Sequence, residues 1–183
     1  RKGESMYTPK QIQVAALIVE RVCEEMGDDA KTTTPLYWCV HGGPGVGKSH
    51  TLKLMRELFN FIGFRSDVEY VMTALQAVMA EQLEGDTLHH SLGVTPSQLK
   101  KSMKANDWGA TKREMEISKF LEQCRWLVID EISMISAQLL SEVDNKLRRA
   151  VRDVEATKKD ENLLERPFGG INVIFCGDFW QLD

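Results

Sequence analysis

Apolar positions along this chain follow two spacings. Ile12, Ala15, Ala16, Val19, Val22 and Cys23 recur every three or four residues, which predicts a helix over 9–26 with that set as its buried face. Thr8 can cap this helix, Pro9 suits its first turn, and Gly27-Asp28-Asp29 ends it. The same spacing returns at Leu52, Met55, Leu58, Phe59 and Ile62 ahead of Gly63, and again at Ile135, Leu139, Leu140, Val143, Leu147 and Val151. Between these stripes stand continuous apolar runs at 36–40, 68–72, "RWLVIDEIS" and "INVIFCGDF", which read as four buried strands. Shorter helices are expected over 74–83 and 111–123, with 85–109 irregular but for a helical turn after Pro96. The segment 152–166 carries both charge signs densely and reads as a solvated connection, and Pro167-Phe168-Gly169-Gly170 as a turn. Strands alternating with helices predict an α/β fold, a parallel sheet with helices on both faces.

Three of the four strands end in polar residues, and in open α/β sheets ligands sit at those carboxyl ends. The first leads into "GGPGVGKS", where Gly42, four residues, Gly47, Lys48 and Ser49 make the phosphate-binding loop pattern. Glycines let backbone N–H groups close around phosphate oxygens, and the helix starting near Lys48 turns its free N–H groups to the same anion. Lys48 would reach the β- and γ-phosphates and Ser49 would ligate Mg²⁺. The expected nucleotide-binding run is Gly43, Pro44, Gly45, Val46, Gly47, Lys48, Ser49 and the adjoining His50. The third strand delivers Asp130 and Glu131 to the same edge. The first acid is assigned to the metal and the second to an attacking water, which favours hydrolysis over binding alone. The fourth ends in Gly177-Asp178, beyond which Gln181 could reach a γ-phosphate and act as its sensor. The predicted class is therefore a P-loop NTPase.

At 183 residues the chain suits one domain. It has no apolar run of membrane-spanning length, its first ten residues are polar rather than a signal peptide, and it starts without Met, as a piece of a longer chain would. Cys23, Cys39, Cys124 and Cys176 form no C-x-x-C pair. Cys39 and Cys176 lie in apolar runs and are expected as buried free thiols, which suits a reducing, intracellular compartment. A net charge of −4 excludes coating nucleic acid by bulk electrostatics, so any such contact must be local. His89-His90 lacks a third ligand at suitable spacing, and zinc is not expected there.

The set "GGPGVGKS", "VIDEISMI", "PFGG" and "GDFWQL", in this order, resembles the Pif-type (petite integration frequency) DNA helicases of superfamily one and relatives carried by rolling-circle transposons. "YTPKQIQVA" is similar to the family's glutamine motif, which implies an adenine-contacting amide at Gln11. "TALQAVMAEQLEGDTLHHSLGV" is similar to a DNA-contacting segment and implies strand contacts at Thr73, Ala74, Thr87 and His89. Gln76, Ala77 and Glu84 depart from the family pattern there. The resemblance implies a RecA-like first motor domain using Mg²⁺ and ATP to move 5′-to-3′ along single-stranded DNA. It further implies a second motor domain, absent from these residues, that supplies arginines, and a nuclear or mitochondrial site in a eukaryote. The fragment itself is expected to be monomeric. A P-loop switch or loader that acts on partner proteins without moving along a strand is the other reading. A degenerate transposon remnant is disfavoured by the intact Lys48, Ser49, Asp130 and Glu131.

Overall fold

The computed structural model describes residues 7–27, 34–94, 123–150, 160, 162 and 164–182. The helical turn after Pro96, the helix over 111–123 apart from its last residue, Val151 and most of 152–166 lie outside them.

Helix α1 (Pro9–Met26) begins with a capping box: the Thr8 hydroxyl accepts from Gln11 N–H, and the Gln11 side chain accepts from Thr8 N–H. Its buried residues are Gln11, Ile18, Arg21 and Val22, whereas Ile12 and Val19 are exposed. The expected face is thus turned by about one residue. The reason is polar: Gln11 and Arg21 are drawn inward by specific partners, Gly47 O and Asn172 Oδ1, which hydropathy cannot anticipate.

Strand β1 (Tyr37–His41) feeds the phosphate loop, and helix α2 (Lys48–Ile62) follows, burying Leu52, Met55 and Phe59 as expected. Strand β2 runs Tyr70–Ala74, two residues later than the pattern predicts. The preceding stretch is held in turns instead: Asp67 has φ 58°, and Glu69 binds back to Arg65. Because Ala74 completes β2, helix α3 starts late, at Ala77–Gln82. A fifth strand, β3 (Asp86–Thr87), and helix α4 (Leu88–Ser91) occupy the start of the stretch expected to be irregular. Two residues are too few to leave a period-two signal. Gly85 makes that pairing feasible, since a Cβ there would sit 2.1 Å from Met72 O. Strand β4 (Trp126–Ile129), a 3₁₀ turn (Ile132–Met134), helix α5 (Ala137–Ala150), a second 3₁₀ turn (Pro167–Gly170), strand β5 (Asn172–Gly177) and a third 3₁₀ turn (Phe179–Leu182) complete the order among the described residues.

All five strands pair in parallel, in the order β1-β5-β4-β2-β3. Every carboxyl end therefore lies at one edge. One core, between the sheet and α1, α2 and α3, holds Ile18, Leu52, Met55, Phe59, Tyr70, Trp126 and Ile174. The other, under α4 and α5, holds Leu88, Leu92, Leu127, Leu139, Val143, Leu147 and Val173. Helices on both faces and a parallel sheet make this an α/β P-loop NTPase fold of the RecA-like kind.

Cys176 is buried, and burial pushes its thiol pKa up, but Cys39 is exposed. Strand β1 lies at the margin of the described sheet, and its alternate residues Tyr37, Cys39 and His41 face outward. An apolar run at a sheet margin buries one face only.

Candidate nucleotide site

The loop between β1 and α2 turns on two left-handed glycines, Gly45 (φ 75°) and Gly47 (φ 90°), a conformation that disfavours any side chain. Gly42 N–H binds Gly177 O at 3.3 Å, which ties the loop's first residue to the end of β5. Lys48 Nζ donates to Gly42 O (2.6 Å) and Gly43 O (3.1 Å), so the cation lies across the loop mouth. Gly47 O is a hub that accepts from Gln11 Nε2 (3.2 Å), Thr51 Oγ1 (3.1 Å) and Thr51 N–H (3.0 Å). Pro44, Gly45, Val46, Ser49 and His50 are exposed at the head of α2. The His50 ring lies 5.4 Å from that of Tyr7.

Gln11 is buried, and both ends of its amide are engaged within the chain, one in the helix cap and one on Gly47. Each end of the amide keeps one further hydrogen-bonding site, a second N–H and a second lone pair.

At the end of β4, Asp130 N–H donates to Thr73 O at 2.8 Å, while its Oδ1 is buried without a hydrogen-bond partner. Burial raises the Asp130 pKa above its ordinary value; the Glu131 charge adds to that rise, and the Glu131 backbone N–H and Lys48 oppose it. Glu131 is half-buried and left-handed (φ 52°, ψ 46°), which a non-glycine residue adopts only under constraint from its surroundings. Strained backbone of this sort clusters at functional sites.

The structure also brings in a residue that motif reading left without a role. Asp178 is fully buried, its Oδ1 accepts from Trp180 N–H at 3.0 Å, and its Oδ2 has no partner. Among the described residues only three buried side-chain atoms lack partners, and two of them are carboxylate oxygens at this edge. The third is Trp126 Nε1, in the core. The signal for Asp178 was available, since it follows Cys176 on the same face of β5 as Asp130 follows Val128 on β4. Gln181 falls in the closing 3₁₀ turn (Phe179–Leu182), and its side chain lies outside the described ones. The neighbouring Trp180 indole donates to His41 Nε2 at 2.9 Å.

The expected strand-contacting residues divide. Thr73 and Ala74 are wholly buried, and Thr73 Oγ1 binds Val128 O at 3.1 Å. Both side chains lie inside the sheet, Thr73 bracing β2 against β4 and Ala74 in the core, because β2 is an interior strand. Thr87 and His89 are half-buried at the β3 end, where Thr87 Oγ1 accepts from His90 N–H. No helix among the described residues is long and apolar enough to cross a membrane.

Residues 6–183 match the family model described as PIF1-like helicase. The ATP-dependent DNA helicase PIF4 of Trypanosoma brucei brucei is 30% identical over 148 residues, which are 81% of this chain and 16% of that relative. The ATP-dependent DNA helicase PIF1 of Saccharomyces cerevisiae is 33% identical over 141 residues, 77% of this chain and 15% of the relative. Among solved structures, Bacteroides Pif1 bound to single-stranded DNA superposes with a TM-score of 0.61 at 23% identity, over 96% of this chain and 33% of that one. Bacteroides Pif1 in complex with ADP-AlF3 and single-stranded DNA gives 0.59 at 24% identity, over 97% of this chain and 33% of that one. At such identities the shared feature is the fold. The chain spans about a sixth of the length of the curated relatives it matches and about a third of the solved ones.

Proposed function

The chain belongs to the PIF1-like helicase family, and on that premise we propose that it is the first motor domain of an ATP-dependent DNA helicase, binding and hydrolysing Mg-ATP to move 5′-to-3′ along single-stranded DNA. The observation that carries this reading is the meeting, at one sheet edge, of a phosphate loop with left-handed glycines and a buried carboxylate oxygen that lacks a partner. Such an oxygen is costly to bury, and a cation beside it offsets the cost, so the site suits Mg²⁺ as well as phosphate. Ser49 and Asp130 would hold the metal, which when bound supplies charge neutralisation at the phosphates.

The chain's own groups do the rest. Backbone N–H groups from Gly43 to Ser49, with Pro44 contributing only shape, wrap the phosphates, His50 flanks them, and Lys48 carries its charge from Gly42 O and Gly43 O to the β- and γ-oxygens. Glu131, at the same strand end, takes the proton of the attacking water. Gln181 senses the γ-phosphate from the turn that follows Asp178. Gln11 sets the loop's posture through Gly47.

Strand contact falls to Thr87 and His89 at the β3 end, with Thr73 and Ala74 behind them as support. The Bacteroides relative's complex with single-stranded DNA supports a strand as the partner. The greater length of the relatives supports a second motor domain that would contribute arginines across a cleft. A DNA substrate supports a location inside the cell, and in a eukaryote the reading is nucleus or mitochondrion.

The test is ATP hydrolysis by the full-length protein with and without single-stranded DNA, alongside Lys48→Ala. Turnover should rise with DNA and be lost in the variant, and duplexes with a 5′ overhang should unwind in preference to those with a 3′ overhang. A rate indifferent to DNA would overturn the helicase reading, and a fully active Lys48→Ala would overturn the site.

A further inference from the structure

The α2-facing row of β4 runs Trp126, Val128 and then Asp130, and that of β5 runs Ile174, Cys176 and then Asp178. Two neighbouring strands thus end the same face in an aspartate, directly beyond the apolar core and toward the head of α2. Asp178 is 0% exposed. A Cβ built on Gly43 would lie 3.9 Å from Asp178 Oδ2, so this oxygen faces the phosphate loop at the residue whose carbonyl Lys48 holds.

Capping accounts for only half of the carboxylate. Oδ1 already receives Trp180 N–H, a task that Ser or Asn performs without burying a charge. Oδ2 needs a donor, and none of the described side chains or backbone groups supplies one. Among the described residues no three His, Cys, Asp or Glu side chains could hold a metal ion together, so a cation here would bring its other ligands with it, as phosphate oxygens and water. Mg²⁺ retains several waters when bound this way, and these waters need acceptors. An ionised carboxylate is acceptor-only.

We infer that Asp178 is a second acidic group of the nucleotide site, accepting hydrogen bonds from the water shell of the divalent cation that Asp130 holds directly. It rests on the Mg-nucleotide reading of the site given above and extends it to the outer shell. Asp178 is a positioning residue: it fixes the metal's waters, and through them the metal, relative to the loop.

The test is a two-by-two titration. ADP affinity of the full-length protein is measured calorimetrically in MgCl₂ and in EDTA, for the wild type and for Asp178→Asn, which keeps the capping oxygen. Outer-shell partners of a metal are worth about 10-fold or more in its affinity. The tightening of ADP by Mg²⁺ should therefore shrink about 10-fold in the variant, with ADP affinity in EDTA unchanged. Asp178→Ser, which also keeps a capping oxygen, repeats the comparison should the amide variant fail to fold. Undiminished Mg²⁺ dependence would overturn the inference. So would an equal loss in both buffers, which is the mark of a merely structural role. A wild type that binds no ADP in either buffer would instead overturn the nucleotide site itself.

Discussion

The two ends of the sheet handle buried charge in opposite ways. At the amino-terminal end, Arg21 Nε donates to Asn172 Oδ1 (3.0 Å) and Glu25 Oε1 (3.1 Å), while Asn172 Nδ2 donates to Glu25 Oε1 (2.6 Å). Arg125 donates to Glu25 Oε2 (2.6 Å), and Leu36 N–H donates to Asn172 Oδ1 (2.9 Å). These contacts lock α1 to the starts of β4 and β5, with opposite charges paired within the chain. At the carboxyl-terminal end, Asp130 Oδ1 and Asp178 Oδ2 are buried without partners, Glu131 is left-handed, and Lys48 reaches only backbone carbonyls. A satisfied network stabilises the fold, whereas an unsatisfied one is a strain reservoir that a ligand can relieve. The same sheet thus carries paired charge at one edge and unpaired carboxylate oxygens at the other.

That contrast can be broken at either end. The largest expected effect is at the strained edge: Glu131→Gln in the full-length enzyme keeps the side-chain shape but removes the base. ATP should still bind while single-turnover hydrolysis falls by about 10²–10⁴-fold. Near-normal turnover would remove Glu131 from its assigned role.

At the paired edge the effect should appear in folding instead. Glu25→Ala leaves the guanidinium of Arg21 buried without its main counter-charge, a change that costs about 3 kcal/mol. Denaturant unfolding should register this loss, while the folded variant binds Mg-ADP with wild-type affinity. A matching loss of nucleotide affinity would mean that the two edges are not separable.

The smallest effect has the opposite sign. Asp130→Asn removes a buried charge that the Glu131 backbone N–H and Lys48 offset only in part, so the nucleotide-free protein should become more stable at neutral pH, by about 1 kcal/mol. Burial raises the folded pKa of Asp130 above 3.8, so the folded state binds this proton more tightly than the unfolded chain does. Stability from this group is therefore lost as pH rises through the window above 3.8, and the advantage of the Asn variant should close as pH falls back through it. A variant less stable than wild type at every pH would place Asp130 with the scaffold.

Much of this architecture is legible in residue order. The stripe Leu52, Met55 and Phe59 and the runs at β4 and β5 identify their elements because burial of a whole strand or helix face imposes a period. The phosphate loop is equally plain, since its chemistry needs contiguous backbone and one nearby cation. Elements whose existence depends on neighbours are harder to see. Strand β3 is two residues held against β2, made possible by the absence of a side chain at Gly85. The inward faces of Gln11 and Arg21 depend on partners 36 and 151 residues away in the chain.

By itself, then, the sequence determined the α/β alternation, the phosphate loop, and the strand end that carries Asp130 and Glu131, because each rests on local spacing or on a continuous apolar run. Only the tertiary structure decided which way α1 faces, that Thr73 and Ala74 are buried while Cys39 is not, and that Asp178 joins Asp130 at the loop. Those outcomes depend on which strands lie inside the sheet and which polar groups find partners across it. Partner and strand order arise from pairings between distant segments, and no local window of the chain contains them.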